Sequence, residues 1–351
     1  MTNTSPATPP SGQAKPSPLA GGSTAGGFTR GRLVALAGGM MSLWAAAVAL
    51  CMLVPWWVPL TGETLRLRLY RLIPASVAGA ALSVAGVALQ SLLRNPLASP
   101  EILGISSGAT VGAMLAMLAG SAVFIGVSGA GSITAAAAAG GVVTILVVYF
   151  IAQRRGRLDP YTLLLTGVIV TAFNGAIIMF LYRLAPPGVF REITFWSMGQ
   201  VREQTEPELL VLAGTVVAMG WGVLLGRAKG FNVQSLGDDV AASAGVNVQA
   251  LRLVSFGCVA LMTAAAVTLA GPVAFVGLIV PHLTRRLLGA DHRRLILAAG
   301  WVGATFLALA DTLCRASAFW RVGELPVGLI TAAAGGPFFL YLLRRRFRER
   351  I

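Results

Sequence analysis

Long apolar stretches alternate with short polar connectors from residue 33 to residue 343 of the chain. A hydrocarbon layer about 30 Å thick takes roughly 17–25 helical residues to cross. That length predicts ten spans: 33–54, 69–92, 102–124, 133–152, 161–183, 208–226, 253–270, 273–288, 295–313 and 326–343. The seventh and eighth are the least regular. Only Gly271 and Pro272 separate them and the eighth is short, which predicts a broken or partial span there.

Three connectors depart from the pattern. The stretch RNPLASPEILGISSGATVGAML (residues 94–115) holds Pro96, Pro100 and Gly104, which interrupt helical hydrogen bonding between two spans. Irregular backbone at membrane depth is tolerated only where protein buries it or where it lines a water-filled cavity. The short amide of Asn95 suits the freed backbone groups, and Ser106, Ser107 and Gly108 suit close helix packing. The segment 184–207 carries FREITFWSMGQV, whose aromatic and apolar residues recur at helical spacing and predict a short interfacial helix. The segment 227–252 places Asp238 and Asp239 where a helix start favours negative charge, then Ala241, Ala242 and Ala244, then Gly245 as a left-handed stop.

Composition agrees with a membrane protein. The 351 residues are 56% hydrophobic and 11% charged, against about 25% charged in soluble proteins. The net charge of +14 lies in small clusters between apolar spans. It forms no basic face interleaved with aromatics, so nucleic acid is not an expected partner. The inside segments of an even-span topology hold 19 Lys and Arg and the outside segments 8, which predicts both termini in the cytoplasm. Residues 1–30, rich in Pro, Gly, Ser and Thr, predict a disordered cytoplasmic tail ahead of a single membrane domain, 31–351.

The chemistry-bearing residues are few. Cys51, Cys258 and Cys314 are isolated, and no Cys-x-x-Cys occurs. Cys51 follows Val48-Ala49-Leu50, where the large Leu50 argues against a lipoprotein cleavage site and for an uncleaved first span. His282 and His292 have no partner ligands nearby in sequence, so neither a metal nor a cofactor is expected. No G-x-x-x-x-G-K-[ST] phosphate loop is present, and no nucleophile–base constellation suggests an enzyme. An ion-coupled carrier would need acids or polar pairs at mid-span. The spans are instead almost wholly apolar, with Asp311 at the edge of the ninth and Arg315 nearby as its partner.

RLYRLIPASVAGAALSVAGVALQSLLRNPLASPEILGISSGA, SLGDDVAASAGVNVQALR, LAGPVAFVGLIVPHLTRRLLGADHRRLI and GELPVGLITAAAGGPFFLYLLRR occur in one order across residues 65–345. In these pieces the chain resembles the permease subunits of bacterial ABC importers for ferric siderophores, haem and cobalamin. The resemblance implies an all-α, polytopic fold of about ten helices like that of the vitamin B12 importer permease. It implies a bacterial inner-membrane location and a pair of permease subunits, expected to be identical, around a central pathway. Two cytoplasmic ATPase subunits and a periplasmic binding protein would complete the assembly.

Residue by residue, the resemblance implies a cytoplasmic gate at Asn95, Leu97, Pro160 and Tyr161, where Tyr161 is bulkier than the family's usual small polar residue. It implies ATPase coupling through Leu236, Gly237, Asp238, Asp239, Ala242 and Gly245. It implies binding-protein docking through Arg68, Arg71 and Arg315, with Arg66 and Arg321 as weaker candidates. Tyr70 stands where the family usually has Pro, and SAFWRVG is slightly longer than usual. The outer FREITFWSMGQ segment looks like that of haem permeases, so haem is the favoured cargo, with ferric siderophore next and cobalamin as the alternative.

Overall fold

A computed structural model describes residues 30–53, 61–120, 130–154, 157–201, 206–317 and 324–348. The predicted tail, Arg202, Arg321 and most of SAFWRVG lie outside the described residues. Each of the ten predicted spans corresponds to a helix, and three further helices lie in the connectors: α1 (Arg30–Leu53), α2 (Gly62–Leu92), α3 (Ile105–Leu118), α4 (Ala130–Ala152), α5 (Pro160–Leu184), α6 (Pro187–Ser197), α7 (Pro207–Gly226), α8 (Ala228–Gln234), α9 (Asp238–Ser243), α10 (Val248–Ala270), α11 (Val276–Leu288), α12 (His292–Ala316) and α13 (Val327–Arg348). The fold is all-α and polytopic. Among the described residues, seven helices are long and apolar enough to cross a membrane, and α3 and α13 carry shorter apolar segments.

The body is built around α2. It is buried nearly all round, packing against α12 on one side and α10 on another. Lipid is as apolar as leucine, so helices in a membrane associate through close packing of small residues. Gly79 of α2 meets Gly303 of α12 so tightly that a Cβ on Gly79 would sit 2.2 Å from the Gly303 carbonyl oxygen. The same device joins α3 to α4, where a Cβ on Gly140 would lie 2.3 Å from the Gly108 oxygen. A ladder of tryptophans ties the outer layer on. The Trp301 ring lies 5.8 Å from both Trp44 of α1 and Trp221 of α7, and the Trp221 indole N–H donates to the Ile296 carbonyl (3.1 Å).

The predicted break between the seventh and eighth spans is present. Helix α10 stops at Ala270, Gly271 takes φ +66°, and α11 begins only at Val276. At 13 residues, α11 is about 20 Å long by helical rise, too short to cross the hydrocarbon alone. Its irregular lead-in is covered by protein. Gly199 packs on Gly271 and Pro272, and Pro100 of the α2–α3 connector sits against Gly277. The predicted interfacial helix in 184–207 is α6, anchored by buried Ile193 and Trp196. One feature was not foreseen: Gln153–Arg154 and Arg157–Leu158 pair as a small antiparallel hairpin between α4 and α5.

The crossing of α2 and α12 predicts a sharp size limit. Gly79→Leu is expected to lower the melting temperature in detergent by many degrees or to abolish recovery of folded protein. Gly214→Leu on α7, where a Cβ would meet nothing within 4 Å, is expected to leave that temperature unchanged. Equal tolerance at both positions would contradict the packing described.

Candidate functional site: the inner connector, the coupling helix and a buried ion-pair network

At its C-terminal end, α2 closes in a Schellman motif. The Asn95 N–H bonds to the Gln90 carbonyl (3.1 Å), the Arg94 N–H bonds to the Ser91 carbonyl (3.3 Å), and Arg94 is left-handed at φ +48°. Asn95 does what its short amide suggested. Its Oδ1 accepts from the Leu97 N–H at 3.0 Å, and its carbonyl accepts from the Ala98 N–H at 3.0 Å. A single 3-10 turn, Pro100–Leu103, follows, and Gly104 at φ +78° swings the chain into α3. This turn packs on α5, where a Cβ on Gly167 would lie 2.3 Å from the Ile102 oxygen.

Asn95 and Leu97 therefore lie on the connector, with their side chains half-buried. Pro160 and Tyr161 form the first turn of α5, capped by Asp159, whose carboxylate accepts from the Thr162 N–H at 2.8 Å. Tyr161 is 77% exposed. Connector and α5 are neighbours, but they meet two turns further along α5, at Gly167, rather than through the Tyr161 ring.

Glu101 is the acid of the connector. Its Oε1 is shut off from solvent, and Oε2 accepts from the Ser99 hydroxyl at 2.9 Å. Burial pushes its carboxyl up to about 7, although the Ser99 hydroxyl donates to it. Phe275 is left-handed at φ +68° where α11 begins. The connector and the break before α11 also pack on each other, Pro100 against Gly277.

The segment 227–252, expected to meet an ATPase, forms two short helices. Helix α8 follows directly on α7, and α9 starts after Gly237, which takes φ +138°. Asp238 and Asp239 occupy the first turn of α9, and Ala241 is its buried anchor. Gly245, at φ +81°, ends α9 in a Schellman motif (Gly245 N–H to the Ala242 carbonyl, 3.0 Å; Val246 N–H to the Ala241 carbonyl, 2.9 Å). Leu236 (72%) and Val240 (48%) are exposed beside Ala242. A cleft of about 760 Å³ opens between α9 and the inner hairpin, lined by Arg157, Asp159, Asp238, Asp239, Ala242 and Arg252. Asp238 is the hub of this corner. One carboxylate oxygen pairs with Arg94 of the connector and the other with Arg252 of α10.

The arginines expected to face outward are turned inward. Arg68, Arg71 and Arg315 are 5%, 3% and 7% exposed. Arg68 donates to the Met52 carbonyl of α1. Arg71 reaches Asp311 (3.2 Å) and Glu324 (2.7 Å), and Arg315 lies 3.4 Å from the other oxygen of Asp311. The cause is electrostatic, because an acid buried at 1% exposure in α12 requires compensating cations. The expected Asp311–Arg315 pair is present, with Arg71 as a further partner. Only the Glu324 end of this network is substantially exposed, at 41%. At Tyr70, the position that departs from the family pattern, the phenol packs against Arg66.

The sequence alone gave no hint of two connections. Arg94 counted only as an inside charge, yet it joins the connector to α8 and α9. His292 bridges three helices. Its Nδ1 lies 2.7 Å from Asn232 Oδ1, its Nε2 lies 2.7 Å from Ser91 Oγ, and its ring stacks on Phe231. Residues 60 and 201 positions away in sequence cannot be paired with it by local pattern.

Residues 33–345 match the FecCD transport family. The chain belongs to that family. It is a multi-pass transport permease rather than a catalytic subunit. It is 40% identical over 294 residues to the cobalamin import system permease protein BtuC of Halobacterium salinarum, covering 82% of this chain and 76% of the relative. It is 37% identical to the hemin transport system permease protein HmuU of Yersinia pestis, covering 82% and 84%. A solved structure described as an inward-facing conformation of a metal-chelate type ABC transporter superposes with a TM-score of 0.77 at 26% identity. That match covers 89% of this chain and 99% of the other.

Two outcomes are expected from this geometry. Asp311→Ala removes the buried carboxylate shared by two buried guanidiniums and is expected to cost about 3–5 kcal/mol of stability, read by chemical unfolding in detergent; a change below 1 kcal/mol would contradict the network. Glu101 has a folded-state pKa above its ordinary 4.5, so the folded protein binds the extra proton and stability is lost as pH rises from about 4.5 to about 7. The melting temperature is expected to fall over that window in the parent and to lose that slope in Glu101→Gln. Identical slopes would contradict the buried carboxyl.

Proposed function

We propose that this chain is the permease subunit of an ATP-driven importer that carries a bulky metal chelate inward across a bacterial inner membrane, with both termini on the cytoplasmic side. The observation that supports it best is α9, a short helix closed by a Schellman motif at Gly245, standing exposed on the face that also carries the α2–α3 connector. A transport permease without a phosphate loop draws its energy from elsewhere, and an exposed, rigid helix beside the gate suits a grip for a separate ATPase subunit. In this reading Leu236, Gly237, Asp238, Asp239, Ala242 and Gly245 form the contact. Two ATPase subunits close on a pair of permeases, expected to be identical, and rock their spans. Asn95 and Leu97 on the connector, with Pro160 and Tyr161 opposite, rim the inner mouth.

A periplasmic binding protein docks on the outer face at the corner of Arg68, Arg71 and Arg315. Because these side chains are buried and paired, an incoming carboxylate must take the place of Glu324 on Arg71, the exposed end of the network. Such an exchange keeps the charge of the site constant.

The cargo is a metal chelate. The FREITFWSMGQ segment favours haem. The names of the relatives spread over cobalamin, haemin, iron hydroxamate and iron citrate, so the class of metal chelates is better supported than any one member.

The test is reconstitution in proteoliposomes with the cognate ATPase and binding protein, comparing uptake of haem, a ferric siderophore and cobalamin. Uptake of one of these is expected to require hydrolysable ATP and all partners. Uptake driven by a proton or sodium gradient without the ATPase would overturn the proposal in favour of a secondary carrier.

A further inference from the structure

Arg94 sits in a conformation that its side chain disfavours. At the C-terminus of α2 the chain must turn left-handed, and the equivalent position in α9 is Gly245. A residue with a Cβ is strained there. Strain of this kind persists where the surroundings hold it in place, and it concentrates at functional positions. Here the surroundings are the loop that carries α8 and α9. The Arg94 guanidinium donates through Nη2 to the Gln234 carbonyl, the last residue of α8 (3.1 Å), and to Oδ1 of Asp238, the first residue of α9. Gln234 also reaches the same carboxylate through its amide, at 3.5 Å. The other oxygen of Asp238 is held by Arg252 on α10. One carboxylate therefore ties α9 both to the central body and to the turn that immediately precedes Asn95 and Leu97.

This arrangement does more than anchor a loop. Glycine would make the same turn without strain, and Arg252 alone would hold α9 to α10. The arginine adds a charged link between α9 and the connector, across 144 residues of sequence. The link spans a short distance and is bidirectional in Asp238, so a displacement of α9 must move the Arg94 turn, break the pair, or slide it relative to Arg252.

We propose that Arg94 and Asp238 form a transmission joint that passes movement of α9 to the inner connector and so to the gate residues Asn95 and Leu97. Arg94 is a positioning residue that acts through the connector. The proposal rests on the reading of α9 as the ATPase contact and of the connector as the gate rim.

The experiment measures ATP hydrolysed per chelate delivered by the complete complex in proteoliposomes, for the parent, Arg94→Gly, Arg94→Lys, Asp238→Asn and the Arg94→Gly/Asp238→Asn double variant. Arg94→Gly keeps the turn and removes the link. It is expected to assemble and hydrolyse ATP like the parent while delivering about tenfold less chelate per ATP, within the range that couplings between distant sites carry. Arg94→Lys is expected to restore part of the loss. The double variant is expected to be no worse than the more severe single change, since both remove one link. Arg94→Gly with parental coupling, or with a lost ATPase subunit, overturns the joint, as do losses that multiply in the double variant. A parent complex that delivers chelate without ATP overturns the importer reading itself, an outcome distinct from the others.

Discussion

The structure depends on one constraint: backbone polar groups at membrane depth must find partners within the protein. Helices meet it automatically. The two places where this chain leaves the helix, the connector after α2 and the break before α11, meet it by packing on each other. Pro100 lies against Gly277, and the Gln90 amide donates to the Gly277 carbonyl at 3.5 Å. Neither irregular segment would be tolerable alone against lipid. Together they form a buried seam of non-helical backbone beside α2, and the candidate gate lies at its inner end.

That seam is held in a rigid frame. Glycine contacts bring α2 and α12 to backbone distance, and the Arg71–Asp311–Arg315 network locks the other end of the same helix pair. A frame fixed by small-residue packing and buried charge resists deformation, so movement is left to the elements attached at its edge. Those are the connector, with its strained Arg94, and the short helices α8 and α9. On the proposed reading, that division gives the permease a stiff frame and a small movable rim.

Much of this was legible from residue pattern. The ten spans, the break at Gly271-Pro272, the interfacial α6 and the Gly245 stop of α9 all follow from local chemistry, namely apolar length, helix breakers and a left-handed cap. The Asn95 turn was legible for the same reason, since an Asx turn is a two-residue event. What pattern could not give is which distant side chains meet. The family resemblance implied outward docking by Arg68, Arg71 and Arg315, but Asp311 holds two of them in a buried network and the Met52 carbonyl takes the third. The Arg94–Asp238 pair and the His292 bridge are likewise tertiary. The inner hairpin at 153–158 was missed because two-residue strands carry no periodicity.

The central claim is that the connector moves while the α2 frame stays fixed. Hydrogen exchange of the reconstituted complex, with and without a non-hydrolysable ATP analogue, tests it most directly. The account predicts that protection changes at the amides of residues 94–104 and of α9, while residues 79–90 of α2 remain equally protected in both states. Unchanged exchange in the connector, or a change spread evenly along α2, would contradict it.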